Sequence, residues 1–442
     1  MLRTRLERSP AIATVLFAMA VSFTTYLCMY AFRRPFTAGT FADLTFLGTG
    51  INAKTAYVIS QLLGYTVSKY IGVKICSEMT RSRRAAALVL LIAIAQVTLV
   101  LFAVLPKDLK ALAMFANGLP LGMVWGLVVW YLEGRRASEA LLAGLSCSFI
   151  VGSGIVKDVG RWVMSDLGAS EAWMPAVTGA LFLLPYLLSV FLLNQVPEPT
   201  AADVAARVQR APMNASDRWA FVRRFAPGLF MLFLLYFFLT AYRDYRDNYA
   251  VEVLGQLGYA DVKAIFTKTE MPIAFGVMGT LALLSLVKNN RSGLLVALGI
   301  MGFGVALMGG ATLLLDAGAI SGLLWMILVG MGAYLCYVPY GSVLFDRLMA
   351  CTGFVGTAVF AIYMADALGY TGSVAVQLYK DLGAGDMSRL GFLRYMTYGV
   401  SALGVLMIAG SGVYFGGISR RARDAAPPAG ASALGAAQGA RP

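Results

Sequence analysis

Two basic residues near the N-terminus have the chemistry and the position to act inside a membrane. Arg33 ends the first long apolar segment, and Lys69 lies well inside the second. A charged side chain at the bilayer centre costs about 2.5 to 3.5 kcal/mol on insertion scales, so membrane helices keep one mainly beside a water-filled path or a counter-charge. Two such cations on neighbouring segments predict a protein that handles an anion.

Tyrosines share the helical face of Arg33. Tyr26, Tyr30 and Arg33 recur at helical spacing, so they line one side of the first segment. A guanidinium on such a face can hold a phosphate or a carboxylate through two parallel hydrogen bonds. The alternative is that Arg33 and Arg34 both extend to the lipid headgroups. We expect that arrangement for Arg34 and an anion site at Arg33.

A stripe of polar residues accompanies Lys69 along one side of the second segment. Such a stripe either packs against another helix or lines a cavity, and a lysine within it favours the cavity. If its charge is desolvated there, Lys69 is a candidate proton carrier as well as an anion ligand. Tyr65, one turn earlier, joins the candidate substrate site. The other members of the stripe are Ser60, Gln61, Gly64 and Ser68.

The second half of the chain offers two arginines and two acids with related roles. Arg243 and Arg246 close the seventh apolar segment, and one of them, facing inward, would be the counterpart of Arg33 in a pseudo-symmetric pair of halves. A surface cluster of ion pairs is the alternative. Glu270 is expected to neutralise an arginine or a lysine when substrate is absent. Asp366 is a candidate proton site or lysine partner, or else forms a structural bond between helices.

Composition sets the class of protein. Of 442 residues, 59% are hydrophobic and only 13% charged, with a mean hydropathy of +0.72, which predicts an all-α polytopic membrane protein. The chain has no histidine. That removes the usual catalytic base and a common metal ligand, and the five cysteines show no metal-binding spacing. We expect no catalytic residue, no metal and no cofactor.

Windows of about 20 apolar residues give twelve candidate spans, six on each side of a polar linker. The predicted organisation is an N-terminal bundle at 1–194, a cytoplasmic linker at 195–224, a C-terminal bundle at 225–418 and a disordered tail at 419–442. The predicted spans are 11–32, 52–73, 85–105, 109–131, 139–160, 172–194, 225–245, 262–287, 293–314, 319–344, 350–377 and 391–416.

Lysine and arginine are concentrated in alternate loops. The run from Arg81 to Arg84 and most other basic residues fall on one side if the N-terminus is cytoplasmic, as the positive-inside rule requires. Both termini are therefore predicted to be cytoplasmic. The net charge of +13 then reflects topology and contact with anionic membrane lipid, and no nucleic-acid partner is implied.

Several motifs resemble those of the major facilitator superfamily, and within it the organophosphate:phosphate antiporters. The end of the first segment matches the family motif Y-x-x-R-x-x-F, and the second segment is similar to Y-x-x-S-K-F-I. Later segments resemble the family motifs G-M-G-W, C-A-H-N-V-G-G-G and G-Y-x-G-S-V. Glu270 matches a family glutamate that precedes a glycine. The matching residues are Tyr30, Arg33, Phe36, Tyr65, Ser68, Lys69, Tyr70, Ile71, Gly122–Trp125, Cys147–Gly154, Gly276, Gly369–Tyr370 and Gly372–Val374.

The resemblance implies a twelve-helix fold of two pseudo-symmetric bundles in the bacterial inner membrane, with alternating access to a central site. It implies Arg33 as a phosphate ligand and Lys69 as a neighbouring basic group. Two departures bear on the ligand set. Phe149 stands where the family has a histidine, and the family's arginine of the seventh helix aligns with either Arg243 or Arg246.

The resulting hypothesis is a secondary active transporter, monomeric, for a small organophosphate, phosphate or carboxylate anion. A sugar-phosphate sensor of the same fold, which binds without transport, is the alternative. A membrane enzyme or a lipid flippase is a third class. With no histidine, no Ser/His nucleophile pair exists for an enzyme.

Overall fold

The computed structural model describes residues 2–42, 44–132, 135, 137–200, 203, 215–352 and 358–424. Within these ranges the chain is almost entirely helical and forms no β-sheet. The helices, in chain order, are α1 Leu2–Glu7, α2 Ala11–Arg33, α3 Ala53–Glu78, α4 Arg81–Val104, α5 Lys110–Val129, α6 Ser138–Ser165, α7 Met174–Leu193, α8 Ala215–Asn248, α9 Ala250–Gln256, α10 Ile265–Ser285, α11 Asn290–Asp316, α12 Gly322–Ser342, α13 Leu344–Thr352, α14 Ala358–Leu382 and α15 Arg389–Asp424.

Twelve of these helices correspond to the twelve predicted spans, and the chain is a multi-pass membrane protein. Nine described helices are both long and apolar enough to cross a bilayer. The other three, α3, α10 and α14, are also of spanning length, at 26, 21 and 25 residues. Each of the three carries a charged residue of the candidate site: Lys69, Glu270 and Asp366.

Two bundles of six long helices form the fold. Helices α2 to α7 pack on one another, as do α8, α10, α11, α12, α14 and α15. Between the bundles, α6 packs along α10 and α3 contacts α14. A Cβ added at Gly154 of α6 would lie 2.8 Å from the carbonyl oxygen of Phe266, so the first of these contacts brings two backbones together. The residue boundaries predicted for the bundles remain predictions.

The helix at the start of the second bundle differs from its prediction. α8 begins at Ala215, inside the range assigned to the linker, and its backbone is non-helical at Phe225, shortly before Pro227. Proline removes a helical hydrogen bond and commonly marks a kink. The apolar span predicted from hydropathy starts at residue 225, where the kink lies. The helical turns before the kink are polar, so hydropathy does not detect them.

The last helix, α15, continues to Asp424 and so extends into the range 419–442 that the sequence predicts as a tail. An arginine-rich stretch such as 419–424 has good helix propensity and extends an existing helix at little cost. The rest of the predicted tail lies outside the described residues, as do residues 201, 202 and 204–214 of the predicted linker.

A close approach of α3 and α5 fixes the helix that carries Tyr65 and Lys69. A Cβ added at Gly118 of α5 would overlap the carbonyl oxygen of Gln61, and one added at Gly64 would overlap that of Phe115. Small residues let membrane helices approach closely and gain dispersion contacts.

We therefore expect Gly118→Ala to lower the melting temperature of the purified protein, because the new methyl group separates α3 from α5. Gly310→Ala in α11 is the matched control, since a Cβ there meets no heavy atom within 4 Å. Ala is favoured over Gly in a helix by about 1 kcal/mol, so the control should be unchanged or stabilised. Equal melting temperatures for the two variants would contradict the close approach of α3 and α5 at Gly118.

Candidate functional site

Arg33 is a buried cation for which the described residues provide no carboxylate. Its side chain is largely buried, with the residue 7% exposed, and no ion pair within the described part of the chain involves it. The guanidinium carbon instead lies 4.1 Å from the ring centroid of Tyr65 and 5.7 Å from that of Tyr30, and its Nε has no hydrogen-bond partner. Cation–π contact compensates part of the lost hydration. The remaining deficit favours binding of an anion.

The backbone beside Arg33 is held in place by a polar bond to α3. Gln61 donates from Nε2 to the carbonyl oxygen of Arg33 at 2.8 Å and to Oδ1 of Asn117 at 2.8 Å. Gln61 thus ties the end of α2 to α3 and α5. One member of the predicted polar stripe therefore serves packing, and its neighbour Tyr65 faces the candidate site.

Arg243 has surroundings similar to those of Arg33, in the other bundle. Its guanidinium carbon lies 4.0 Å from the ring centroid of Tyr337, and Nη2 is 2.7 Å from Oδ1 of Asp244. The hydroxyl of Ser373 donates to the other oxygen of Asp244 at 2.9 Å. Each bundle thus presents an arginine against a tyrosine ring, as pseudo-symmetry leads one to expect.

Arg246 uses both of its Nη atoms in bonds elsewhere, and its Nε has no hydrogen-bond partner among the described residues. Its Nη1 donates to Oε1 of Glu270 at 2.8 Å, and its Nη2 donates to the carbonyl oxygen of Met326 at 2.9 Å. The pair is buried, with side-chain exposures of 3% and 9%. Of the two arginines left open by the sequence, Arg243 is the one that lies in the aromatic surroundings described next.

Lys69 and Asp366 join the two bundles. Nζ of Lys69 is 2.5 Å from Oδ2 of Asp366, and the hydroxyl of Tyr236 donates to Oδ1 at 2.8 Å. Tyr236 is stacked on Tyr337 with ring centroids 5.2 Å apart, which connects this pair to Arg243. Tyr370 lies beneath the lysine, 5.0 Å from Nζ to its ring centroid.

Arg34 is buried in an ion-pair network, so the predicted contact with headgroups is wrong. Its Nε lies 3.2 Å from Asp247 and its Nη2 3.8 Å from Asp244, and it also bonds Asn248. The chain after α2 explains the difference. A short 3-10 helix at Pro35–Ala38 is buried and covers this end of the bundle, so Arg34 does not reach the lipid interface.

Two functional candidates escaped prediction. Lys157 of α6 is buried and donates from Nζ to the backbone oxygen of Asp247 at 2.6 Å, and it also pairs with that residue's carboxylate. Ser153 bonds the same carboxylate. The signal that singled out Lys69, a lysine in an apolar segment, applies equally to Lys157 and would have identified it.

Ten charged residues form what we call the central charge cluster, and its cations outnumber its carboxylates by two. Arg33 has no ion pair among the described residues, and Asp247 is shared by two cations. The cations are Arg33, Arg34, Lys69, Lys157, Arg243 and Arg246, and the acids are Asp244, Asp247, Glu270 and Asp366.

The bundles are also joined where α2 ends and α3 begins, which we call the distal end. Lys54 is fully buried and pairs with Glu252 at 2.7 Å, and the hydroxyls of Thr55 and Tyr249 are 2.6 Å apart. Asn52 donates its backbone N–H to Asp381 at 3.0 Å. These bonds hold the two bundles together at the distal end.

Phe149 occupies an aromatic contact between the bundles. Its ring centroid is 6.2 Å from that of Trp125 in α5 and 6.0 Å from that of Tyr334 in α12. Phe149 thus serves packing between the bundles, and the rings of Tyr30 and Tyr65 lie against the guanidinium of Arg33. Within the described ranges, no cluster of three or more Cys, Asp or Glu side chains offers a metal site.

Comparison with solved structures identifies the fold. The crystal structure of a D-xylose–proton symporter covers 91% of this chain, which in turn covers 97% of that protein, with a TM-score of 0.59 and 17% sequence identity. The architecture is therefore that of the major facilitator type. No curated protein matches the sequence.

Over residues 35–417 the chain matches the family described as "Family of unknown function (DUF5690)". The protein belongs to this family. Neither comparison points to the organophosphate antiporters in particular.

Because the Arg246–Glu270 pair is buried, we expect Glu270→Ala to destabilise the protein strongly. Removing one partner of a buried pair costs about 3–5 kcal/mol, since the other charge stays buried and unpaired. Asp316→Ala is the control, because Asp316 and Arg394 form an exposed pair, of a kind worth about 0–1 kcal/mol. Thermal unfolding in detergent measures the stability of both variants. Equal losses of stability in the two variants would contradict the argument from burial.

Proposed function

We propose that this protein is a secondary active transporter that carries a small anion across the bacterial inner membrane by alternating access. The observation that carries the proposal is Arg33, a buried guanidinium with no ion pair among the described residues and a tyrosine ring on its face. Arg243 on Tyr337 supplies the second half of the site. An anion between them would satisfy both arginines through bidentate bonds.

The charge of the central cluster supports a substrate with two negative charges. Two uncompensated cations are costly in a medium of low dielectric constant, and a dianion would neutralise them. A phosphate ester, inorganic phosphate or a dicarboxylate has that charge. The similar D-xylose–proton symporter is named for a sugar, whereas the charges here favour an anion.

In this proposal the bundles 1–194 and 225–418 rock about the site as a monomer, with both termini in the cytoplasm. The bonds at the distal end then close the site toward the outside, so the structure corresponds to a state closed to the periplasm. Opening outward requires the Lys54–Glu252 and Lys157–Asp247 pairs to separate.

A thermal-shift screen tests the substrate class directly. We expect phosphate esters or dicarboxylates to raise the melting temperature of the purified protein, because a ligand that binds only the folded state stabilises it. Neutral sugars should have no effect. Arg33→Gln should abolish the stabilisation, and Arg394→Gln, which changes an exposed arginine, should retain it.

Counterflow of a stabilising anion into proteoliposomes then tests transport. Wild-type protein should exchange labelled for unlabelled anion, and the Arg33→Gln variant should not. Anion binding without counterflow would favour a sensor of the same fold over a transporter. Stabilisation by neutral sugars alone, with Arg33→Gln unaffected, would contradict the anion site.

A further inference from the structure

Among the described residues, the Lys69–Asp366 pair is the most accessible ion pair that joins the two bundles near the candidate site. Its side chains are 18% and 15% exposed. The Lys157–Asp247 pair, by comparison, is 3% and 7% exposed. A charged pair that links α3 to α14 and is less deeply buried can break and re-form at lower cost than a fully desolvated one.

Lys69 and Arg33 lie against the same aromatic ring. Nζ of Lys69 is 5.5 Å from the ring centroid of Tyr65, and the guanidinium carbon of Arg33 is 4.1 Å from it. An anion held by Arg33 is thus within the range of a flexible lysine side chain. The bound anion and Asp366 therefore compete for Lys69.

Among the described residues, the charged and titratable groups around Asp366 come from three other elements. Lys69 and Tyr65 face it from α3, Tyr236 donates to it from α8, and Tyr370 lies one turn away on its own helix. Behind Tyr236, Tyr337 of α12 separates the acid from Arg243. Lys69 is the one cation in contact with the carboxylate within this described set. If Lys69 moves to a bound anion, Asp366 keeps only the Tyr236 hydrogen bond.

We propose that Asp366 is the proton-binding group that couples anion transport to a proton gradient. This inference rests on the proposed anion transport at Arg33. When the anion binds, the ion pair between Nζ of Lys69 and Oδ2 of Asp366 breaks, and Nζ turns to the anion. Oδ2 then takes one proton from water on the side from which the anion entered, because an unpaired carboxylate in this setting is costly.

The proton leaves with the anion. After the bundles rock, the anion dissociates on the other side, Lys69 returns to Asp366, and Oδ2 releases its proton to the water there. One proton thus moves with each anion in the same direction. Throughout the cycle, Tyr236 stays bonded to Oδ1 of Asp366 and positions its carboxylate.

Asp366→Asn separates coupling from binding, because the amide is neutral and cannot exchange a proton. We expect this variant to lose accumulation driven by an inward proton gradient, and to keep measurable counterflow at a lower rate than the wild type, because Lys69 has lost its partner. Asp366→Glu should retain gradient-driven accumulation at least in part. Asp316→Asn is the control for an acid outside the cluster and should behave as wild type.

A second measurement uses the unmodified protein and so does not depend on the folding of a variant. A pH-sensitive dye sealed inside proteoliposomes should report acidification of the lumen when the stabilising anion enters down its gradient. Anion entry without acidification, or gradient-driven accumulation by Asp366→Asn at the wild-type level, would overturn the inference. Loss of counterflow by Asp366→Asn would also overturn it. Absence of counterflow in the wild type would instead refute the underlying proposal of transport.

Discussion

The cost of a buried, unpaired cation is the constraint on which the rest of this structure depends. In the centre of the membrane domain the cluster satisfies almost every charge by a partner from another helix, such as Arg246 with Glu270 and Lys69 with Asp366. Each bond therefore also fixes how two helices meet. Arg243 pairs with Asp244 on its own helix. Arg33 has no carboxylate partner within the described residues, and its guanidinium is held against Tyr65 instead. A site that tolerates this cost without substrate is well suited to bind an anion.

The helices that carry the cluster are positioned by contacts that need no charge. Gly118 lets α5 approach α3, and Gly154 lets α6 approach α10 across the two bundles. These close contacts place Lys69 and Glu270 at the interface between the bundles, where side chains must rearrange if the bundles rock. The spanning helices α3, α10 and α14 contribute Lys69, Glu270 and Asp366 to the central charge cluster.

Sequence alone predicted the fold well because the signal for a membrane span, about 20 apolar residues, is local. It also singled out Arg33 and Lys69, since a cation in an apolar segment is conspicuous. It could not choose between Arg243 and Arg246, which lie three residues apart and whose partners come from other helices. It misplaced Arg34, because the covering turn after α2 depends on tertiary packing. Lys157 was missed although its local signal matched that of Lys69.

A structure determined with a bound dianion, such as a phosphate ester that stabilises the protein, would test the central claim most directly. We expect density for the anionic group within hydrogen-bonding distance of the guanidinium of Arg33, between it and Arg243, with Lys69 turned away from Asp366. Density for the ligand elsewhere, with Arg33 still against Tyr65 and without a new partner, would contradict the assignment of the anion site.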